Sequence, residues 1–152
     1  MSKAASDPSS YQLSEQVGHL LRRAYQRHVA IFQRIVPDSQ LTAAQFVVLC
    51  AIRDHGRCDI HDVVRAIAID EATVRGIVER LKWRELLTAK HEPGDTRQME
   101  LALTPAGDKL VAETVPHARA ITDATFGDLN ATERADLVRL LRRISGIDEP
   151  AA

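Results

Sequence analysis

Hydrophobic residues recur at a helical spacing through most of the chain, and the clearest case lies between Ile69 and Arg84. Apolar side chains fall there at i, i+3, i+4 and i+7, which places them on one side of a helix of about four turns. They are Val74, Ile77, Val78 and Leu81. Asp70 precedes this stripe and can cap the free amides of the first turn, so the helix is predicted to begin there.

Five further helices are predicted from the same spacing. The first runs from about Leu13 to Ile35 and is ended by Pro37. The others are a helix capped by Thr42 and closed by Gly56, a short helix capped by Asp59, a helix from Thr104 to about Phe126, and a last helix from Asn130 or Thr132. Pro116 lies inside the fourth of these five and lacks an amide hydrogen, so a kink or break is expected near Val115.

The hydrophobic period changes from about 3.6 to two after Leu87. Residues 87–92 and 97–103 alternate as two strands, and residues 93–96 form the turn between them. A hairpin directly behind two short helices joined by a tight turn is a winged helix-turn-helix arrangement. The predicted fold is therefore mainly α with a small β-wing.

The outward side of the helix between Ile69 and Arg84 begins with small residues and one arginine, Arg75. A helix that enters a DNA major groove needs short side chains for close approach and a forked donor for guanine. Arg97, on the hairpin loop, is suited to the negative potential of a narrow minor groove. An ordinary surface helix in which Arg75 pairs with Glu79 explains the same residues, and this alternative stays open.

Element order divides the chain into three parts. Residues 1–10 are predicted to form a flexible N-terminal arm, because they offer little to bury. Residues 40–103 form the winged helix-turn-helix, and residues 11–36 and 104–147 form a helical region contributed by both ends of the chain. The outer helices carry more apolar surface than a winged-helix core needs, which predicts that they dimerise.

Composition and charge exclude several classes of function. The 152 residues are 45% hydrophobic, so a hydrophobic core is expected. The net charge is −1, so nucleic acid could be bound only by a local basic surface. The chain has two cysteines, no apolar run of membrane-spanning length and no signal-peptide pattern, which favours a cytoplasmic protein that does not contact a membrane. No nucleophile motif, carboxylate pair or phosphate-binding glycine loop is found, so neither an enzyme nor a cofactor is expected.

At this point the chain resembles the MarR-type winged-helix transcriptional regulators from about residue 13 to 147. The matching residues are Asp70, Thr73, Val74, Val78, Glu79, Arg80, Leu81, Pro93, Asp95, Arg97, Leu103, Thr104 and Gly107. The resemblance implies a homodimer on a pseudo-palindromic operator of double-stranded DNA, usually repressing genes until a small molecule binds. It places Thr73, Arg75 and Gly76 at groove-facing positions, Arg97 at the minor groove, and Asp95 as its brace.

One residue departs from the family pattern. Where family members usually have a glycine at the end of the recognition helix, this chain has Glu85. A left-handed cap costs more without glycine, so the helix is expected to end differently, with a change in the aim of the wing.

The stretch from Gly18 to His28 is similar to the first helix of family members that answer to aromatic carboxylic acids. The resemblance implies an effector of benzoate or nicotinate type, with Arg22 on its carboxylate and His28, with His19, at the ring substituent. Arg23 and Tyr25 are the next candidates. The other reading is an ion pair at Arg22 and a satisfied core histidine at His28, and it stays open because positions six apart lie about 120° around a helix.

Two rival functions use the same fold. His55, Cys58 and His61 are spaced three apart and carry donors that bind zinc. A glycine-containing turn with polar residues explains the same residues and is favoured, so no metal site is assigned. The second rival is a protein-interaction module that does not bind DNA, which a salt-dependent DNA affinity would exclude.

Overall fold

In a computed structural model, which describes residues 8–91, 94 and 99–147, the chain is mostly helical with one small antiparallel sheet. The elements are α1 (Val17–Ile35), α2 (Ala43–His55), α3 (Ile60–Ile67), α4 (Glu71–Trp83), β1 (Leu87–His91), β2 (Met99–Leu103), α5 (Pro105–Phe126) and α6 (Ala131–Ile144). Short 3-10 turns at Pro8–Ser10 and Leu13–Glu15 precede α1. The predicted fold class, mainly α with a β-wing, is confirmed.

Side-chain caps begin the helices where the sequence predicts them. Thr42 accepts a hydrogen bond from the backbone amide of Gln45 at 3.1 Å, and the Gln45 side chain accepts one from the Thr42 amide at 3.2 Å. Asp59 and Asn130 form the same reciprocal arrangement at the starts of α3 and α6. Each such cap satisfies amides that would otherwise lack a partner, and is worth about 1 kcal/mol.

The core lies where α2, α3 and α4 meet the hairpin. The predicted stripe of α4 is inside it, with Val74, Val78 and Leu81 buried and Ile77 half-buried. The second half of α1 and the middle of α5 join this core, since each contributes buried side chains: Ile31, Phe32, Val111 and Ile121. Each buried apolar side chain of this size contributes about 1.5–3 kcal/mol, so these contacts tie the outer helices to the winged-helix core.

The hairpin pairs Leu87 with Leu103 and His91 with Met99. Its second strand is also bridged to Cys58, because the Leu101 amide donates to the Cys58 carbonyl at 2.7 Å and the Cys58 amide donates back at 3.2 Å. The hairpin is therefore fixed to the chain segment just before α3.

The first helix begins later than predicted. Gln16 is extended, with φ −72° and ψ 124°, and separates α1 from the 3-10 turn at Leu13–Glu15. The apolar spacing continues across this interruption, which is why the sequence pattern does not reveal it.

Of the kink or break expected near Val115, the break is not found, because α5 continues through Pro116 without interruption. The kink stays a prediction. Proline removes one hydrogen bond, and the helix keeps the bonds on either side of it. The hydroxyl of Thr114 also donates to the carbonyl of Leu110 at 2.7 Å, one turn earlier.

The expected change at the end of the recognition helix is also wrong. Glu85 has φ 61° and adopts the left-handed conformation that glycine would take. The Leu86 amide donates to the Leu81 carbonyl and the Glu85 amide to the Lys82 carbonyl, both at 2.9 Å, as in a Schellman cap. Burial of Leu86 and Leu87 directly after the cap holds this geometry without glycine.

Two faces of the protomer expose many apolar side chains. On the first part of the chain they are Tyr11, Leu13, Val17, Leu20, Leu21 and Tyr25, and on α6 they are Leu137, Val138, Leu140 and Ile144. No residue of α6 is buried within the protomer. Among the described residues, no helix combines the length and the apolar character needed to cross a membrane.

Candidate DNA-binding surface and effector cavity

The start of α4 is fixed by Asp70, as predicted. Its carboxylate accepts hydrogen bonds from the Thr73 amide at 3.0 Å and from the Thr73 hydroxyl at 2.7 Å. These bonds, the hydroxyl first, lower the pKa of Asp70 below its ordinary value. The ionised carboxylate thereby orients Thr73 on the outward side of the helix.

Thr73, Arg75 and Gly76 lie together on the exposed side of α4, opposite its buried stripe. A Cβ built on Gly76 would meet nothing within 4 Å, so packing within the protomer does not require glycine here. Its missing side chain instead leaves this part of the surface shallow, which is what close approach to a major groove needs.

Arg75 pairs with a different residue from the one named in the surface-helix alternative. Its Nη2 lies 3.0 Å from Oε1 of Glu71, not beside Glu79, because helical side chains lean toward the N-terminus and reach the preceding turn. His61 Nδ1 lies 3.6 Å from the same Glu71 oxygen. Arg75 and Glu71 are half exposed, so their ion pair is weak and DNA can displace it.

The two wing-tip residues predicted to meet the minor groove, Asp95 and Arg97, lie outside the described residues. Gly94 is described and has φ 88°, a left-handed value that suits a tight turn. Since His91 pairs with Met99, residues 92–98 connect the two strands.

His28, one of the predicted effector residues, lines a cavity. The cavity measures about 190 Å³ and lies between α1, α2 and α5. His28 and the apolar side chains of Phe32, Phe46, Val47 and Ile121 form much of its wall. For comparison, an apolar cavity of about 150 Å³ can hold a benzene ring. The Tyr25 ring packs against the outer side of His28, with 6.2 Å between ring centroids.

His19, Arg22 and Arg23 do not line this cavity. Arg22 and Arg23 are exposed and His19 is partly exposed, on the turns of α1 before His28. The structure therefore brings Tyr25 and His28 together and leaves the three earlier residues away from this cavity.

Sequence reasoning missed the walls of the cavity that come from α2 and α5. Thr114, Phe46 and Thr122 line the cavity, and Thr114 is 1% exposed. Thr125 lies behind the wall and contacts His28, with 2.9 Å between Thr125 Oγ1 and His28 Nδ1. These residues are far from α1 in the sequence, so no spacing along the chain indicates that they meet.

A larger open groove of about 860 Å³ lies between the start of α2 and the end of α4. Trp83 lines it and is 86% exposed, with Arg80 and Lys82 beside it. None of the predicted effector residues borders this groove, so its size alone does not make it the effector site.

The three residues of the zinc hypothesis, His55, Cys58 and His61, each have a separate environment in the folded chain. His55 Nδ1 lies 3.0 Å from the Ala51 carbonyl, and His61 faces Glu71. Burial, with smaller effects of Asp62 and Asp59, raises the pKa of Cys58 to about 11, so that its sulfur stays a thiol. Within the described part of the chain, no three or more His, Cys, Asp or Glu side chains are grouped to hold a metal ion.

Comparison with known proteins agrees with this geometry. The MarR family model matches residues 41–99. The chain is 50% identical over 150 residues to the HTH-type transcriptional repressor NicR of Pseudomonas putida, covering 99% of this chain and 95% of NicR.

Two solved structures are also similar. Bordetella bronchiseptica BpsR, whose DNA binding is regulated by 6-hydroxynicotinic acid, has a TM-score of 0.84 at 62% identity, covering 89% of this chain and 97% of that one. Streptomyces coelicolor PcaV in complex with its natural ligand has a TM-score of 0.81 at 28% identity, covering 92% and 99%. With a winged helix-turn-helix, an exposed recognition surface and relatives matched over nearly their whole length, this chain belongs to the MarR family of winged-helix transcriptional regulators.

Proposed function

We propose that this protein is a transcriptional repressor that binds a pseudo-palindromic operator as a homodimer and is released by a small aromatic carboxylate of hydroxynicotinate type. The observation that carries the proposal is the cavity at His28, which lies between α2 of the DNA-binding part and the outer helices α1 and α5. The similarity to BpsR, a protein regulated by 6-hydroxynicotinic acid, supports the ligand class. In this role the protein acts on cytoplasmic DNA and is not an enzyme.

The DNA-binding part corresponds to residues 40–103. Thr73, Arg75 and Gly76 face the major groove, and Arg75 exchanges its pair with Glu71 for a guanine edge. The wing places Arg97 in the adjacent minor groove, with Asp95 as its brace.

The effector lies in the His28 cavity with its ring against the apolar wall. Arg22 holds the carboxylate at the mouth, with His19, Arg23 and Tyr25 around it. Arg22 lies about 9 Å along the helix axis and about 120° around it from His28, so the two side chains meet opposite ends of a monocyclic acid and not one group.

Ligand and DNA are coupled because the cavity joins two layers of the molecule. Residues 11–36 and 104–147 hold the dimer together, and α2 belongs to the DNA-binding part. A ligand that prefers one angle between these layers favours a dimer whose recognition helices no longer match successive major grooves. Such a coupling is typically worth about 1–3 kcal/mol and is reciprocal.

The DNA contacts are tested by fluorescence anisotropy on an operator selected from random DNA. Arg97→Ala should weaken binding by about 1–3 kcal/mol, and Arg75→Ala should also relax the base preference. Lys109→Ala, on the exposed side of α5, is the control and should bind like wild type. Unchanged affinity in Arg97→Ala would remove the wing from the mechanism, and the absence of any salt-dependent DNA affinity would favour an interaction module.

The effector is tested by calorimetry with 6-hydroxynicotinic acid. Arg22→Ala and His28→Ala should each weaken its binding, and operator DNA should weaken binding to wild type by the factor by which the acid weakens DNA binding. If both variants bound the acid like wild type, the pocket would lie elsewhere.

A further inference from the structure

Thr125 makes two hydrogen bonds through one hydroxyl group. Its Oγ1 lies 2.7 Å from the Ile121 carbonyl oxygen and 2.9 Å from His28 Nδ1. A hydroxyl has a single hydrogen, and a carbonyl oxygen can only accept. The Thr125 hydrogen therefore points at Ile121, so His28 must donate from Nδ1–H to a lone pair of Thr125.

We propose that Thr125 is a positioning residue that holds His28 in its Nδ1–H tautomer and thereby selects effectors that carry a ring O–H or N–H donor. In this tautomer of the neutral imidazole, Nε2 has a lone pair and no hydrogen. Nε2 makes no hydrogen bond to any described residue, and His28 lines the cavity. This inference rests on the proposed function and specifies which group of the ligand His28 meets.

The geometry around Thr125 is held by its neighbours. Arg27, next to His28 on α1, donates from Nη1 to the Thr125 carbonyl at 2.6 Å and from Nη2 to the Ala124 carbonyl at 3.0 Å. Tyr25 packs on the imidazole ring. The hydroxyl of Thr125 and the ring of His28 are thus kept at hydrogen-bonding distance by contacts that do not involve a ligand.

A buried polar group in the cavity wall, Thr114, has the same character. Thr114 donates its hydroxyl hydrogen to the Leu110 carbonyl at 2.7 Å, so it too presents only lone pairs to the cavity. A carboxylate would meet acceptors there and be repelled, whereas a hydroxyl or ring N–H would be satisfied. The ligand therefore enters with its donor end first and leaves its carboxylate at the mouth.

The binding test compares 6-hydroxynicotinic acid with 6-methoxynicotinic acid, which has no hydrogen to donate. Wild type should prefer the hydroxy acid by about 10- to 100-fold, the effect of leaving a buried acceptor unpaired. Thr125→Val, which cannot accept from Nδ1–H, should reduce this ratio to about threefold or less, because the imidazole can then carry its hydrogen on Nε2. Thr125→Ser keeps the hydroxyl and should keep the preference, as should the surface control Thr132→Val on α6.

The tautomer is measured directly by nitrogen NMR of histidine-labelled protein without ligand, with the His28 signals assigned by their loss in His28→Gln. Wild type and Thr125→Ser should show a protonated Nδ1 and an unprotonated Nε2, and Thr125→Val should lose this pattern. An Nε2–H tautomer in wild type would overturn the inference. It would also be overturned if Thr125→Val kept the full preference for the hydroxy acid over the methoxy acid, because that preference would then reflect ligand size. Failure of both acids to bind wild type would overturn the proposed effector, whereas equal binding of the two would overturn only the role of Thr125.

Discussion

Among the described residues, two that are not glycine adopt left-handed backbone conformations, Ala68 with φ 54° and Glu85 with φ 61°. Each ends a helix of the helix-turn-helix, Ala68 after α3 and Glu85 after α4. The left-handed conformation costs a side-chain-bearing residue about 1–2 kcal/mol, so both caps are held by the packing that follows them.

Glu85→Gly should stabilise the protein by about 1 kcal/mol, because glycine adopts the left-handed conformation without strain. The greater conformational entropy of glycine in the unfolded chain offsets part of this stabilisation. Thermal or urea unfolding would measure the change. Glu85→Ala removes the charge but keeps the strain, and should lie close to wild type. Equal stabilisation by both variants would attribute the effect to charge instead.

Asp38 links the segment before α2 to the end of the recognition helix. Its carboxylate accepts from Arg84 Nη2 at 2.7 Å and from the Gln40 amide at 2.8 Å. Burial acts to raise the pKa of Asp38, but the Arg84 and backbone hydrogen bonds outweigh it and hold the pKa below its ordinary 3.8.

Asp38→Asn should destabilise the protein by about 1–3 kcal/mol at neutral pH, since Arg84 loses its carboxylate partner. A lowered pKa adds stability above pH 3.8, which is lost as the pH falls through the folded-state value. Urea unfolding as a function of pH should therefore show wild type approaching the variant below about pH 4. Asp128→Asn, on an exposed loop, is the control; a gap between wild type and Asp38→Asn that stayed constant with pH would contradict the assignment.

At the scale of elements, the joint between the hairpin and α5 depends on a glycine. A Cβ on Gly107 would lie 2.0 Å from the Leu86 carbonyl oxygen, which also accepts from the Thr104 amide at 3.1 Å. The first turn of α5 therefore packs directly on the backbone that enters β1. This contact explains a glycine that the sequence presents only as part of a family motif.

Gly107→Ala should destabilise the protein by about 1–3 kcal/mol or more, because the backbone of one element must move to admit the methyl group. Gly76→Ala, in the middle of α4 with open space around it, should instead stabilise by about 0.5–1 kcal/mol through helix propensity. Chemical denaturation of the two variants measures both signs. If Gly107→Ala matched Gly76→Ala, the close approach at Leu86 would not be a constraint on the fold.

At the scale of the whole molecule, the helices at the two ends of the chain expose apolar side chains that the protomer does not cover. Leu140 is 46% exposed and Ile144 is 64% exposed, and both lie on α6. An exposed apolar face of this extent is typical of a surface that packs against another subunit.

Leu140→Glu combined with Ile144→Glu should abolish the dimer, and operator affinity should fall with it because one half-site cannot hold a monomer at the same concentration. Sedimentation velocity and anisotropy on the same samples measure the two losses. Arg143→Glu, on the same turn of α6, is the control. It introduces a negative charge but removes no apolar side chain, so this variant should remain dimeric. A double variant that stayed dimeric would place the interface on other helices.

The features that the sequence predicts correctly are the ones that depend on near neighbours. The cap at Asp70, the buried stripe at Val74 and Leu81, and the alternation that gives the hairpin all follow from residues within a few positions of one another. The resemblance to MarR-type regulators then supplies an order of elements that the comparisons confirm.

Tertiary packing decides the features that depend on distant parts of the chain. Glu85 takes a left-handed conformation because Leu86 and Leu87 are buried after it, and local preference alone predicts otherwise. His28 acquires its partner Thr125 and its cavity only when α1, α2 and α5 meet, across 97 positions of sequence. Helical spacing predicts which side of α1 a residue occupies. The contacts with other helices that fix the tautomer of His28 and form its cavity exist only in the folded chain.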